Sequence, residues 1–415
     1  MRNSVSVWLG EDAVEVGTLV FEARGARRSV SFAYKDSWLA SPERFALSPD
    51  LPLASGYQFR AGKGSGESVF FSCLADTEPD GWGRNVIRRD HAKQRQKPAP
   101  GQAAAALLNE FDFLLWVSDF SRVGAIRLQS SDGVFQRPSG AARNTPALLA
   151  LPQLLAASKA VEENRETARD LAFLRGNGTS LGGLRPKCSV IDDDGTLAIG
   201  KFPSVSDTRS IVHGEVLALK LAAAAGINAA AARVVDSEGV PVALIRRFDR
   251  VNGKRKMYLS ARAMLQANPA DQYSYVDIAG AIRQVSARAG ADLKELWCRM
   301  VFNILINNVD DHLNNHGFLH HAHGQWTLAP AFDLNPFPDK ERALKTWISE
   351  DSGEAASIDE ALAVAPQFGL GKSAASDILG NVKAVVTRWK TTARAIGMTS
   401  ADIHRFAPAF ESGLD

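Results

Sequence analysis

The segment NVDDHLNNHGFLHHAH, residues 308–323, contains most of the side chains in this sequence that could do chemistry. It holds five of the eight histidines, together with two aspartates and three asparagines. His312 and His316 have the spacing of an HExxH zinc site, but Leu313 stands where the catalytic Glu is needed and Gly317 interrupts the segment. A zinc hydrolase is therefore a minor alternative, and a solvated polar loop is a second one.

The spacing of Asp310 and Asn315 favours phosphoryl transfer. In protein kinases an Asp orients the acceptor hydroxyl group, and an Asn five residues later binds Mg²⁺. Asp311 lacks this relation, because His316 lies five residues after it. A further carboxylate, Asp333 in AFDLNP, follows the predicted hairpin GFLHHAHGQWTL. We predict that Asn315 and Asp333 supply hard oxygen ligands for Mg²⁺; a helix cap is the alternative for Asp333.

Phosphate groups also need a cradle and a cation. GNGTSLGGLRPKCSVI, residues 176–191, is the richest glycine stretch, and it leads into a predicted strand. Its backbone N–H groups could bind phosphate, although Leu184 replaces the lysine of a P-loop and a plain loop remains an alternative. Lys201 lies on the next strand, where a kinase places its phosphate-binding lysine, and Glu215 on the following helix is its predicted ion-pair partner. The segment ALIRRFDR would then be the hinge between two lobes.

The elements around these residues predict an α+β protein with a mixed, strand-bearing N-terminal lobe and a mostly helical C-terminal lobe. Apolar and polar residues alternate in SVSVWL, EVGTLVFEA and RSVSFAY, which predicts strands over the first 35 residues. Two strands follow around an Asp–Gly turn at 187–201, then the helix HGEVLALKLAAAAGI and the hairpin AARVVDSEGVPVALIRRFDR. Helices are expected near 107–120 and 146–174 and over most of the chain after about 260, apart from 316–330.

Length and composition favour two or three domains of an ordinary globular protein. We divide the chain into a β-rich subdomain at 1–105, the rest of the N-terminal lobe at 106–250 and the helical lobe at 251–415. The net charge of +2 does not argue for or against nucleic acid, and three separated cysteines suit a reduced cytosol. We find no signal peptide or membrane span, so we expect a cytoplasmic protein.

One predicted helix is strongly basic. Six basic residues lie between Arg84 and Lys97, and Asp90 is the one acidic residue among them. This pattern is typical of a solvated helix face, and a patch for nucleic acid or an acidic partner is the alternative.

Several of these motifs together resemble one family. SLGGLRPK, RRFDR, NNVDDHLNNHGFL and LAPAFDLNP resemble the HipA-type toxin kinases of bacterial type II toxin–antitoxin systems. GTLVFEA, SWLASPERFALSPDLPL and LADTEPDGWGR resemble the N-terminal subdomain of that family, so the resemblance covers nearly the whole chain. It implies a two-lobed protein-kinase-like fold, related to that of phosphatidylinositol kinases, and a serine/threonine kinase that uses ATP and Mg²⁺.

The resemblance also implies roles for individual residues. Asp310 would be the catalytic Asp with His312 beside it, and Ser180 would be an autophosphorylation site that silences the kinase. The residues implied in ATP binding are Gly182, Gly183, Leu184, Arg185, Pro186, Lys187, Lys201, Arg246, Arg247, Phe248, Asp249, His312, Asn315, Phe332 and Asp333. The chain departs from the family pattern at Arg246, where an acidic residue is known, and at Asn314, where others carry a basic residue.

The implied partner is a small helix-turn-helix antitoxin, through which the chain would mainly contact operator DNA. The implied substrate is a translation-related protein such as an aminoacyl-tRNA synthetase. The alternative is a kinase-shaped corepressor that acts mainly by complexing the antitoxin on operator DNA.

Overall fold

The computed structural model describes residues 2–25, 27–62, 67–79, 81–96, 106–136, 150–175 and 183–413. They form two compact units, each built from two stretches of the chain. Unit 1 comprises Met1–Ser206 and Asp236–Tyr258, and unit 2 comprises Asp207–Val235 and Leu259–Asp415. The predicted division at residues 105 and 250 stays a prediction, and the structure adds that residues 207–235 pack with the C-terminal half of the chain.

The first sheet of unit 1 is antiparallel, with strand order β4-β3-β2-β1-β5. Its strands are β1 Arg2–Leu9, β2 Val14–Arg24, β3 Arg27–Tyr34, β4 Tyr57–Ala61 and β5 Ile126–Gln129. The three strands predicted from alternation are confirmed, whereas β4 and β5 were not predicted. Gly17 of β2 is required by packing, because a Cβ there would lie 2.3 Å from Cζ of Phe32.

A second sheet has the order β6-β7-β9-β8, of which β6, β7 and β9 belong to unit 1. Its strands are β6 Lys187–Ile191, β7 Leu197–Lys201, β8 Ala232–Ser237 and β9 Val240–Arg246, and a short ribbon of β10 Arg250–Val251 and β11 Lys254–Arg255 follows. The helices in this part of the chain are α1 Asp36–Ala40, α2 Ser72–Ala75, α3 Gly81–Gln96, α4 Glu110–Trp116, α5 Leu151–Glu162 and α6 Ala168–Arg175. The predicted strand pair around the Asp–Gly turn and the predicted hairpin are both confirmed.

Unit 2 is built mainly from helices. They are α7 Ile211–Ala224, α8 Ala261–Met264, α9 Tyr275–Val285, α10 Ala289–Leu305, α11 Ile358–Ala363, α12 Lys372–Thr387, α13 Trp389–Ala395 and α14 Ser400–Glu411. The central helix is α10, whose second half is buried from Leu296 to Leu305, and Nε1 of Trp297 donates to the carbonyl of Ala361 at 2.8 Å. Within the described ranges, no helix is both long and apolar enough to span a membrane.

A small sheet of unit 2 carries the predicted hairpin. Its strands are β12 Tyr258–Ser260, β13 Gly317–Ala322 and β14 Gln325–Leu328, in the order β12-β13-β14. The turn falls at His323 and Gly324, as predicted, with φ of 48° and 76°. Positive φ at both turn residues is the geometry that matches the twist of a two-residue hairpin.

The prediction of helix after residue 330 is wrong for residues 331–357, which contain no helix and no named strand. Three prolines, at 330, 336 and 338, remove backbone donors and disfavour helix in this stretch. Its backbone groups bond to other segments instead. In residues 337–347, which we call the strap, the amide of Phe337 donates to Asn307 at 3.1 Å and that of Trp347 donates to Tyr273 at 3.0 Å.

Candidate functional site

The candidate site in unit 2 is the loop Asn307–His316, which we call the acid loop. It begins directly after α10, where Asn307 reverses the chain with a φ of 53°. The Nδ2 group of Asn307 donates to the carbonyls of Phe337 at 2.5 Å and Lys340 at 3.2 Å, so the strap holds the start of the loop. A 3-10 turn at Leu313–Asn315 then leads into β13.

Asp311 anchors this loop in the interior. Its side chain is 4% exposed, and its Oδ2 lies 2.7 Å from Nε2 of His316 and accepts a hydrogen bond from the hydroxyl of Tyr275. Asn303 donates to the same hydroxyl at 3.0 Å, and Asn308 donates to Asn303 at 3.0 Å. Burial alone would raise the pKa of Asp311, but His316 and these hydrogen bonds outweigh burial and lower it. Asp311 therefore acts as a structural anchor.

Asp310 differs from its neighbour because its side chain is 40% exposed. Its Oδ1 is buried beneath the ammonium group of Lys345, with which it forms an ion pair. The remaining exposure of the carboxylate therefore belongs to the side of Oδ2. Nδ2 of Asn315 donates to the main-chain carbonyl of Asp310 at 3.4 Å, so these two residues lie together as their spacing predicts.

His312 lies between these residues, and its carbonyl accepts from the amide of Asn315 at 2.7 Å. Its Nδ1 is buried and has no hydrogen-bond partner among the described residues. The predicted roles of His312 beside Asp310 and at the nucleotide stay predictions.

Asp333 follows β14 in an unusual backbone conformation. Its φ is 57°, in the left-handed region that Asp and Asn tolerate better than most residues. Nδ2 of Asn335 donates to the carbonyl of Asp333 at 3.1 Å and to its Oδ1 at 3.2 Å. Main-chain bonds between Ala230 and Ala331, at 2.8 Å, fix the segment that leads to it. The backbone therefore changes direction at Asp333, the residue that carries the predicted metal-binding carboxylate.

The donor chemistry fits Mg²⁺ better than zinc. Asn315 uses Nδ2 for its hydrogen bond to Asp310, so Oδ1 takes no part in that bond. Asp333 supplies a carboxylate. These are the hard oxygen ligands that Mg²⁺ takes from a protein when phosphates and water complete its shell. Nε2 of His316 is engaged by Asp311, and the described part of the chain holds no group of three or more His, Cys, Asp or Glu placed to bind a metal ion.

In unit 1, the end of the glycine-rich stretch docks on the start of α3. The amide of Trp82 donates to the carbonyl of Gly183 at 3.3 Å. Gly183 has a φ of 91°, and a Cβ there would lie 2.9 Å from Nζ of Lys187, so only glycine suits this position. A Cβ on Gly81 would lie 2.3 Å from Cδ2 of Leu184. Ser180 and Gly182, predicted for autophosphorylation and ATP binding, lie outside the described residues.

Two of the predicted phosphate-binding lysines are cross-strand partners. Lys187 on β6 is directly opposite Lys201 on β7, so both side chains project from the same face of the sheet. Lys187 is 2% exposed, and the carbonyl of Pro186 accepts from the amide of Phe202 at 3.0 Å. The contact of both lysines with phosphate stays a prediction. Glu215 is buried on α7 of unit 2, and its pairing with Lys201 stays a prediction.

The predicted hinge residues belong largely to a buried ion-pair network. Arg247 is 5% exposed; its Nε and one NH group donate to Asp249 at 2.9 and 2.6 Å. Asp249 also accepts from the amide of Gly124 at 2.8 Å and from Arg250 at 2.9 Å. Burial alone would raise the pKa of Asp249, but Arg247 and Arg250 outweigh it and lower the pKa to about 2.

These contacts give Arg247 and Asp249 a structural role in this unit, and their contact with nucleotide stays a prediction. Arg246 is exposed and lies 3.7 Å from Asp194, and the Phe248 ring lies 6.2 Å from that of Tyr258. Neighbouring groups that sequence analysis missed complete the network; they are the buried Asp119, Arg122 and Arg255 and the partly buried Arg127.

The basic helix α3 is confirmed, but its charges are opposed by more than Asp90. Arg84 pairs with Glu78 at 2.8 Å. Arg89 and Lys93 both pair with Glu166, at 3.1 and 3.6 Å. Sequence analysis could not find these partners, because they come from outside the helix. The solvated-face interpretation therefore gains support over a nucleic-acid patch.

Two further residues of unit 2 were missed by sequence analysis. Lys345, the cation beside Asp310, lies far along the chain from the acid loop, so no local spacing marks it. Tyr275, which bonds to Asp311, lies at the start of α9 and carries no motif. The contacts of Lys345 and Tyr275 with the acid loop are recognised only from the three-dimensional structure, in which the strap and α9 lie against this loop.

The fold is a two-lobed α+β architecture, a strand-rich unit and a mainly helical one, as predicted. Residues 5–111 match the family described as the HipA N-terminal domain, and residues 179–389 match the family described as the HipA-like C-terminal domain. The chain belongs to the HipA family, and the resemblance stated from its motifs is confirmed.

Two individual proteins are also similar to this chain. The HipA chain of a solved complex from Shewanella oneidensis MR-1, of the toxin–antitoxin proteins HipA and HipB with operator DNA, has a TM-score of 0.66 at 17% identity. The match covers 99% of this chain and 96% of that one, so the two share a fold. "Putative kinase Y4mE" of Sinorhizobium fredii (strain NBRC 101917 / NGR234) is 26% identical over 190 residues, 40% of this chain. This chain spans only 44% of the length of that curated relative.

Proposed function

We propose that this protein is an ATP- and Mg²⁺-dependent serine/threonine kinase that acts as the toxin of a bacterial toxin–antitoxin pair. The observation that carries the proposal is that the two adjacent aspartates of the acid loop, Asp310 and Asp311, lie in different environments. Asp311 is buried and its Oδ2 is held by His316, while Asp310 keeps one side of its carboxylate exposed and its main-chain carbonyl accepts from Asn315. Asp333, in its left-handed conformation after the hairpin, supplies the second Mg²⁺ ligand.

In this proposal Asp310 accepts the proton of the substrate hydroxyl group as the hydroxyl oxygen attacks the γ-phosphate. When bound, Mg²⁺ would neutralise charge on the phosphates, held by Asn315 and Asp333. Lys187 and Lys201 would contact phosphate, a role supported by their placement opposite one another on neighbouring strands. Ser180 would be the autophosphorylation site that silences the enzyme.

The proposal extends to partners. The Shewanella relative is found with HipB and operator DNA, and this supports a small helix-turn-helix antitoxin as the partner here. Since the cations of α3 are largely paired within unit 1, operator DNA would be contacted mainly through that antitoxin. The target would be a translation-related protein such as an aminoacyl-tRNA synthetase, phosphorylated in the cytoplasm.

Intact-mass measurement after incubation with ATP and Mg²⁺ tests the proposal, with phosphosite mapping and labelling of a bacterial lysate. We expect one added phosphate on Ser180 and labelled lysate protein, and a loss of both by about 10²–10⁴-fold in Asp310→Asn. Asp377→Asn, which changes an exposed carboxylate on α12, is the matched control and should keep full activity. Wild-type protein that labels neither itself nor any lysate protein would refute the kinase proposal. Nucleotide binding without transfer would favour the corepressor alternative.

A further inference from the structure

Lys345 is the cation that contacts the acid loop. Its ammonium group pairs with Oδ1 of Asp310, although the two side chains are 58% and 40% exposed. The loop itself, NNVDDHLNNH, contains two adjacent aspartates and no lysine or arginine. The loop therefore has no permanent positive charge of its own. Lys345 of the strap brings one to it.

The backbone on both sides of Lys345 is held by hydrogen bonds to other segments. Its amide donates to the carbonyl of Val309 at 3.3 Å, and the amide of Thr346 donates to the carbonyl of Asp311 at 3.0 Å. On the other side, Nε2 of Gln272 donates to the carbonyl of Lys345 at 2.5 Å. The strap thus runs along the acid loop on both sides of Asp310 and delivers Lys345 to one oxygen of its carboxylate.

A second exposed ion pair of unit 2, made by Lys390, provides a matched comparison for Lys345. Lys390 pairs with Glu411, and their side chains are 46% and 49% exposed, close to the values for Lys345 and Asp310. Lys390 lies on α13 and packs its charge 5.6 Å from the ring of Trp389, outside the acid loop. Exposed pairs of this kind contribute little to stability, so the Lys345 pair is expected to matter through Asp310.

We propose that Lys345 is a positioning residue for phosphoryl transfer, holding Oδ1 of Asp310 so that Oδ2 faces the acceptor hydroxyl group. This inference rests on the proposed kinase function. In the step it serves, the proton of the hydroxyl group moves to Oδ2 of Asp310, and the hydroxyl oxygen forms a bond to the γ-phosphorus. The bond from that phosphorus to the bridging oxygen breaks, and ADP leaves with the electron pair.

The test compares Lys345→Met, Lys345→Arg and the control Lys390→Met in the full-length protein. Phosphate transfer from ATP and Mg²⁺ is measured by steady-state kinetics, and thermal unfolding is followed in parallel. Lys345→Met should lower kcat by about 10–100-fold, because loss of orientation at a reacting group has effects of this size, with KM for ATP within about threefold of wild type. Lys345→Arg should restore kcat to within about fivefold of wild type, and Lys390→Met should match wild type.

Each other outcome overturns a defined statement. A higher kcat in Lys345→Met would make the pair an inhibitory contact and refute the positioning role. A kcat unchanged in Lys345→Met, with active wild-type protein, would refute the inference and leave the proposed function intact. Loss of kcat in both Lys345 variants, with a lowered unfolding midpoint, would show a purely structural role. Wild-type protein without transfer would overturn the proposed function and the inference together.

Discussion

The acid loop of unit 2 and the arginine network of unit 1 are both carboxylate-centred clusters, and both were assigned to the site by sequence motifs. They are built differently. In the arginine network, Asp249 has its two oxygens occupied by Arg247, Arg250 and the amide of Gly124. In the acid loop, Oδ2 of the buried Asp311 is held by Tyr275 and His316. Asp310 keeps one side of its carboxylate exposed, and Nδ1 of His312 is buried without a partner among the described residues.

This difference separates groups that hold a fold from groups that are left for a ligand. A buried carboxylate with every lone pair engaged is stable because nothing remains to be satisfied. A carboxylate that is anchored on one oxygen and open on the other can exchange a proton with a bound molecule. On this criterion the arginine network supports unit 1, and Asp310 is the reactive group in the kinase function that we propose.

The largest expected effects come from removing one charge in each cluster. Asp249→Asn leaves the guanidinium groups of Arg247 and Arg250 buried without their counter-charge, so it should lower the free energy of unfolding by about 3–5 kcal/mol. Asp310→Asn removes an exposed ion pair and should lower it by less than about 1 kcal/mol. Urea denaturation of both variants and the wild type measures these values.

Activity should follow the opposite pattern in these two variants. Per folded molecule, Asp249→Asn should retain phosphate transfer, whereas Asp310→Asn should lose it. Near-normal stability of Asp249→Asn would contradict the structural role of the arginine network. A large loss of stability in Asp310→Asn would contradict the expectation that Asp310 contributes little to folding.

The pH dependence of stability gives the second effect. The pKa of Asp249 is about 2 in the folded protein and 3.8 without its surroundings, so the folded state holds the ionised form more strongly. A lowered carboxylate pKa contributes stability that is present above the unfolded pKa and is lost as pH falls through the folded pKa. About 2 kcal/mol should therefore disappear between about pH 5 and pH 2.

Asp311, whose pKa is also lowered, contributes in the same direction. The measurement is urea denaturation at several pH values, with Asp249→Asn as the comparison. The variant should show a shallower loss of stability over this pH range than wild type. Equal slopes for the two proteins would mean that Asp249 is not held as an ion in the folded state.

The fold was largely predictable where periodicity is strong. Alternation marked β1 to β3, and turn residues marked the β6–β7, β8–β9 and β13–β14 pairs. The edge strands β4 and β5 were not found, because each is only four or five residues long and depends on a partner strand distant in sequence. The strap was wrongly expected to be helical, because the prolines at 330, 336 and 338 were not weighed against the general helical pattern.

Sequence also identified Asp310, Asn315 and Asp333 as the acidic and metal-binding candidates, because kinase chemistry fixes their spacing. It could not distinguish the engaged Asp311 from the open Asp310 by environment, since the partners Tyr275 and Lys345 come from other segments. For the same reason it could not reveal that the amide of Gly124 binds Asp249. Long-range contacts of this kind leave no local pattern.

A smaller effect is expected from substitution of Gly183, which tests whether Gly183 and Lys187 of unit 1 belong to a binding site for ATP. Gly183→Ala introduces strain at a φ of 91° and a Cβ 2.9 Å from Nζ of Lys187. It should cost about 1 kcal/mol of stability and weaken ATP binding several-fold, measured by calorimetric titration. Gly239→Ala is the matched control, because φ is 83° there and no atom lies within 4 Å of the added Cβ. Equal ATP affinities for the two variants would remove Gly183 and Lys187 from the proposed phosphate site.

The smallest effect is expected at α3, whose cations resemble the arginine network more than the acid loop. Arg84, Arg89 and Lys93 are paired with Glu78 and Glu166. Arg88 and Arg95 are the exposed arginines of this helix. Reversing both charges, in the double variant R88E/R95E, should therefore change the affinity of the chain for a 20-base-pair duplex by less than about twofold. Fluorescence anisotropy over a range of salt concentrations measures this binding. A fall of about two in the slope of log affinity against log salt would mean that both arginines contact phosphates. That result would favour the corepressor alternative, because α3 would then contact DNA without the antitoxin.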